Sequence, residues 1–126
     1  MSIRTKTYRI AEGEAVDLKD RKTQVKPVYR SKQHYQDLLA DHVDHLSDLQ
    51  QRHYAQGSHA VLVIIQAMDA AGKDGVIRHV MSGVNPQGCQ VSSFKQPSTL
   101  ERQHDFLWRA TLRLPEKGQI GIFNRS

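Results

Sequence analysis

The residues of this chain best able to do chemistry lie in IIQAMDAAGKDG, residues 64–75. A loop that wraps phosphate reads Gly, four residues, Gly, Lys, then Ser or Thr. Its backbone N–H groups point inward, a helix presents its positive end, and an ammonium reaches the outer phosphates. Gly72 and Lys73 keep the second half of that pattern, whereas Ala67 replaces the first glycine and Asp74 stands in the place of the hydroxyl. A methyl at Ala67 is tolerable provided that its backbone does not need positive φ. Loss of the hydroxyl matters more, because that oxygen ordinarily holds Mg²⁺. Two carboxylates, Asp69 and Asp74, flank the loop and offer replacement oxygens, directly or through water. A carboxylate facing phosphate without a cation between them is repelled, so Asp69 is the first metal candidate, while Asp74 either joins it or caps the helix. Ala70, Ala71, Gly72, Lys73, Asp74 and Gly75 are the expected phosphate-binding residues. The bland alternative is an ordinary strand-to-helix turn that contains a glycine. The position of the string between an apolar strand and a helix argues against it.

Such a loop needs a scaffold. Val61 to Ile65 is a β-branched apolar run without alternation, as expected for a central strand covered on both faces. After Gly75, the residues Val76, Ile77, Val80 and Met81 form a helical apolar face, and Asn85-Pro86-Gln87-Gly88 reads as a turn. Cys89 to Phe94 is a second strand, which completes a βαβ unit with parallel strands and a right-handed crossover. Ser98-Thr99-Leu100-Glu101 fits a capping box that opens a helix carrying Leu100, Phe106, Leu107, Ala110 and Leu114, ended by Pro115 and Gly118. Gln119 to Phe123 is a third short strand. Upstream, Tyr35, Leu38, Leu39, His42, Leu46 and Leu49 recur at helical spacing between Ser31, a plausible N-cap, and Gly57, a plausible stop. The first 30 residues keep no period and read as an arm, with a short strand near Thr7 to Ile10.

Composition limits the partners. With 18 Lys and Arg against 13 Asp and Glu, the chain carries +5 and favours anions. KDRKTQVKPVYRSK, residues 19–32, is either a solvated basic segment or an arm that contacts a polyanion. No run is long and apolar enough for a membrane span and MSIRTKTYRI lacks a secretory core, so the cytoplasm is the expected compartment. Cys89, the one cysteine, reads as a small buried residue. His42 and His45 share a helical face, but no further ligand completes a metal set, which favours a packing or surface role. Trp108 reads as core rather than as a stacking platform.

QAMDAAGKDGVIRHVMSGVNPQGCQVSSFKQPSTLERQHDFLWR, then LPEKGQIGIFNRS, closely resembles polyphosphate kinases of the second type, and YRSKQHYQDLLADHVDHLSDLQQRHYA resembles that family's N-terminal helix. The resemblance implies an α/β, P-loop NTPase-like three-layer fold with a parallel sheet. It also implies Mg²⁺ dependence, assembly into dimers or higher oligomers, and reversible phosphoryl transfer between inorganic polyphosphate and a nucleotide. Carried over by position, Asp69 takes a metal or acceptor-positioning role and Lys73 contacts phosphate. Asn124 and Arg125 fall on the second motif. Asn124 is a neutral oxygen ligand where many members have Asp, and Arg125 joins Asp69 and Lys73 as catalytic. Lys95 and Arg109 lie where related nucleotide kinases place acceptor contacts, and Asn124 is grouped with them; a surface or salt-bridge role stays open for Lys95 and Arg109.

Members of that family continue beyond FNRS, so the expectation is residues 1–57 as arm and helix and 58–126 as the front half of a kinase core, cut after about three strands. Such a fragment is expected to be weakly active or inactive alone and to self-associate. Two functions follow from these readings. One is a polyphosphate:nucleotide phosphotransferase acting on AMP, ADP or GDP; the other is a non-catalytic nucleotide- or polyanion-binding module. Nucleic-acid binding ranks below both, because few aromatics accompany the basic arm.

Overall fold

The computed structural model describes residues 4–22, 24–68 and 70–125. Two compact units divide the chain, Met1–Leu38 and Leu39–Ser126. Helix α1, Lys32–Gln56, begins in one and ends in the other.

In the first unit, local hydrogen bonds do the work of a core. Thr5–Tyr8 forms a 3₁₀ turn, and Arg9 and Ile10 belong to no strand, which corrects the expectation of a strand at Thr7 to Ile10. A lone strand leaves its backbone groups unpaired, whereas a tight turn closes them locally. Asp17 accepts from the Lys19 backbone N–H at 2.9 Å, and Arg21 pairs with Glu14 at 3.3 Å. Tyr29 and Tyr35 meet edge to face with ring centroids 5.3 Å apart. The described residues of the basic segment are all exposed. Ser31 is the N-cap of α1, its hydroxyl accepting from the His34 N–H at 3.1 Å.

The second unit is built on a three-stranded parallel sheet of order β1-β3-β2, with β1 at Val61–Gln66, β2 at Cys89–Phe94 and β3 at Ile120–Arg125. The two strands of the βαβ unit are therefore parallel as expected, but β3 lies between them. This order overturns the expectation of a central, covered Val61 to Ile65. Ile120 to Phe123 are buried, whereas Val61 to Ile64 are exposed. β3 is shielded by a strand on either side, whereas among the described residues β1 pairs only with β3.

Small residues let α1 approach. A side chain on Gly83 would collide with Val43, and one on Gly88 with the Gln50 carboxamide. The inward line of the helix in this unit runs Leu39, Val43, Leu46, Gln50 and His53, so His42 and Leu49 of the expected stripe face outward. Gln50 is 2% exposed, and neither of its side-chain polar atoms has a hydrogen-bond partner among the described residues. Gly57, at φ +58, ends α1 as expected.

The capping box at Ser98 and Glu101 is present, but the helix it opens is not continuous. α3, Thr99–Arg102, and α4, Trp108–Thr111, are separated where the Asp105 carboxylate accepts from the Leu107 N–H at 2.9 Å and its carbonyl accepts from the Trp108 N–H at 2.9 Å. Aspartate side chains compete in this way with helical bonding. Of the expected apolar face, Leu100, Phe106, Leu107 and Leu114 are exposed, and Ala110 alone is half-buried. Trp108 is half-buried and stacked on His104, with centroids 4.0 Å apart.

Candidate functional site

All three strands deliver their carboxyl ends to one edge of the sheet, the edge where open α/β sheets bind ligands. β1 runs into the loop at 67–72, β2 ends at Phe94 beside Lys95, and β3 ends at Asn124 and Arg125. Asn124 stands in register with Ile65 on one side and Ser93 on the other.

The loop makes its turn with two residues at positive φ, Ala70 at +61° and Gly72 at +85°. Ala67 is not among them, so the missing first glycine costs no backbone strain. Gly72 then serves as N-cap of α2, Lys73–Val80, and supplies no side-chain cap. The first-turn N–H groups of α2 are thereby left to a ligand or solvent, at the positive end of the helix dipole. Asp74 does not cap this helix; its Oδ1 accepts from Asn124 Nδ2 at 2.6 Å. The Lys73 ammonium donates to the carbonyls of Ala67 at 3.0 Å and Met68 at 2.9 Å. Those two bonds tie the loop to the end of β1 and use two of the three ammonium N–H donors.

These residues surround a cleft of about 390 Å³. Ala70, Ala71, Gly72, Lys73, Asp74 and Gly75 form one wall, and Ser93, Phe94, Lys95 and Asn124 form the other. Residues 70–72 and Lys73 line this cleft. A second cleft, of about 370 Å³, shares Ser93, Phe94 and Lys95 with the first and continues to Gln96, Glu101, Arg109 and Arg113. Here Arg109 donates to the Lys95 carbonyl at 2.8 Å, lies 3.8 Å from Glu101 and stands 5.4 Å over the Phe94 ring. The Ser98 backbone N–H holds the Glu101 carboxyl below its ordinary range, helped by the Ser98 side chain and the charges of Arg109 and Arg113, against a desolvation that works the other way.

The sequence-derived site residues thus separate into groups. Residues 70–75, Lys95 and Asn124 converge on the first cleft, whereas Arg109 lies in the second. Arg125 is exposed and is not among the residues lining either cleft. Successive strand residues point to opposite faces, so it projects away from its neighbour Asn124. Asp69 lies outside the described residues. Ser93 and Arg113 went unnoticed in the sequence; the signal for Ser93 was its place near the carboxyl end of a strand parallel to β1. Among the described residues no group of three or more His, Cys, Asp or Glu gathers to hold a metal. Asp74 does bring a carboxylate to the cleft, the donor type that Mg²⁺ prefers while it keeps several waters.

A parallel α/β sheet whose first strand passes through a Gly-Lys loop into a helix, with an open cleft at its carboxyl edge, defines a protein of the P-loop NTPase type. The chain belongs to the family Polyphosphate kinase 2 (PPK2), whose model matches residues 29–126. It is 66% identical over 126 residues to an ADP-polyphosphate phosphotransferase of Rhodopseudomonas palustris, an overlap of 100% of this chain and 44% of that protein. An AMP/ADP-polyphosphate phosphotransferase of Meiothermus ruber is 54% identical over 81 residues, 64% of this chain and 30% of that protein. The crystal structure of Polyphosphate Kinase 2 from Arthrobacter aurescens TC1 superposes with a TM-score of 0.82 at 37% identity, covering 94% of this chain and 43% of that one. The chain therefore spans less than half the length of these relatives.

Proposed function

We propose that this chain carries the phosphate-gripping part of a phosphotransferase that moves a phosphoryl group between inorganic polyphosphate and a nucleoside mono- or diphosphate, with AMP, ADP or GDP as the nucleotide. The observation that carries this reading is the cleft itself, which the uncapped helix start, Lys73 and Lys95 line together. Membership of the family and the names of the relatives supply the substrate class.

In this reading the N–H groups at Gly72 and the first turn of α2 bind non-bridging phosphate oxygens, and the third Lys73 N–H reaches the outer phosphate. Lys95, with Arg109 behind it, attracts the acceptor phosphate. The bond from the transferring phosphorus to its bridging oxygen breaks as a phosphate oxygen of the acceptor bonds to it, so the protein supplies positioning and positive charge rather than a nucleophile. Mg²⁺, when bound, would neutralise charge on the transferring group, and Asp74 and Asp69 are the residues that would hold it, with Asn124 beside Asp74. Arg125 is assigned to the transferring phosphoryl by its motif alone. A cytoplasmic setting and assembly into dimers or higher oligomers belong to the same reading. For the membrane, the finding is that no described helix is long and apolar enough to cross one.

The test is incubation with Mg²⁺, polyphosphate and AMP or ADP, followed by separation of the nucleotides. The expected outcome is weak turnover at most from this chain alone, and any newly phosphorylated nucleotide should fall at least about a hundredfold in Lys73→Ala. Polyphosphate binding without turnover would favour the non-catalytic module instead.

A further inference from the structure

Two of the three positions that depart from their motifs meet in space. Asp74 occupies the place of the loop hydroxyl, Asn124 occupies a place where the resembling family often has Asp, and across 50 residues of sequence they share a hydrogen bond of 2.6 Å. A carboxylate can only accept, so the amide nitrogen of Asn124 must face it, and the Asn124 oxygen is turned elsewhere. The two partners differ in how firmly they are held. Asn124 is half-buried at the end of the central strand, with a paired strand on each side, whereas Asp74 is exposed on the first turn of an eight-residue helix. Asp74 also has no capping duty to fix its rotamer, because Gly72 is the N-cap. Asn124 is therefore the anchored member and Asp74 the member being held.

We propose that Asn124 is a positioning residue whose side-chain amide holds the Asp74 carboxylate at the mouth of the phosphate loop, in place of the hydroxyl that the loop lacks. The inference rests on the reading of the first cleft as the phosphate site, and it assigns Asn124 a role exerted through Asp74 rather than as a ligand in its own right. The residue type follows from the chemistry. Aspartate at 124 could not donate, and it would place a second negative group against Asp74 beside a polyanion. The pair Asp74 and Asn124 thus keeps one oriented negative charge at the mouth where two carboxylates would repel both each other and the substrate.

The experiment measures binding of an inorganic polyphosphate of defined length by titration calorimetry, at several Mg²⁺ concentrations, in the full chain. Asn124→Leu and Asp74→Asn are each expected to weaken Mg²⁺-supported binding about tenfold, the loss of one charge-assisted hydrogen bond in affinity. The double variant should be no weaker than Asp74→Asn alone, because Asn124 has nothing left to position. Asn124→Asp should lose about tenfold in the absence of Mg²⁺ and recover as Mg²⁺ is added. Asn124→Ala carries the same test should leucine prevent folding, which a thermal melt would reveal. Losses that multiply in the double variant would make Asn124 an independent ligand and overturn the proposal while the phosphate site stands. Wild-type chain that binds no polyphosphate at any Mg²⁺ concentration would overturn the reading of the cleft, and the proposal with it.

Discussion

β1 and β3 are neighbours in register and opposites in environment. β1 reads VLVIIQ, the more apolar of the two, yet Ile64 is 63% exposed; β3 reads IGIFNR, with a glycine and two polar residues, yet Ile122 is 2% exposed. Burial here follows strand order rather than hydrophobicity. β3 is covered because β1 and β2 pair along both its edges and because Pro115 packs on Gly121, where a side chain would come within 2.8 Å of the proline ring. β1 leads directly into the Gly-Lys loop, so the strand that positions the candidate site is the less protected one.

The largest expected difference sets Phe123 against Val63. Phe123 is 7% exposed and meets Phe94 edge to face at 4.8 Å, so Phe123→Ala should cost about 3–5 kcal/mol. Val63 is 40% exposed, and Val63→Ala should cost about 1 kcal/mol or less. Urea unfolding midpoints at a common slope decide between them. Equal losses would mean that β1 is covered in solution and would break the comparison.

A smaller effect belongs to the other flank of β3, where the 3₁₀ turn Pro86–Gly88 enters β2 next to Gln50 of α1. Gly88→Ala should cost about 1–3 kcal/mol, since Gln50 is too deeply buried to swing aside. Combining it with Gln50→Ala should return about 1–2 kcal/mol relative to the sum of the single changes. Strict additivity would show that the helix does not press on this turn.

The smallest effect uses Cys89, which pairs with Ile120 from the side opposite Val61. Burial pushes its thiol above the ordinary value of 9.0. The neutral thiol is the form the fold favours. Its contribution to stability is therefore present below the unfolded value and is lost as pH rises through the folded one. Alkylation by iodoacetamide should reach half its maximal rate above pH 9.0 in the folded chain and return toward that value in urea. An unshifted profile would place β2 in the same exposed class as β1.

Much of this molecule was legible in one dimension. The Gly72-Lys73 string, the Ser98 capping box, the Ser31 cap and the Gly57 stop all depend on residues a few positions apart, and local chemistry decided each of them. The same holds for the turn before α2, where Ala70 and Gly72 take positive φ. Three features were not legible. The order of the strands, the one-residue offset at His42 and Leu49 in the buried line on α1 and the break at Asp105 each depend on what lies opposite, a question that periodicity alone does not address.

The amino-acid string by itself determined the chemistry on offer: a glycine free to take positive φ, a lysine after it, and carboxylates in place of a hydroxyl. Only the tertiary structure decided that Asn124 would meet Asp74 and that Arg125 would project away from the cleft. The reason is physical. Strand pairing and register assign partners and faces through hydrogen bonds between distant segments, and a shift of a single residue would have exchanged the two side chains.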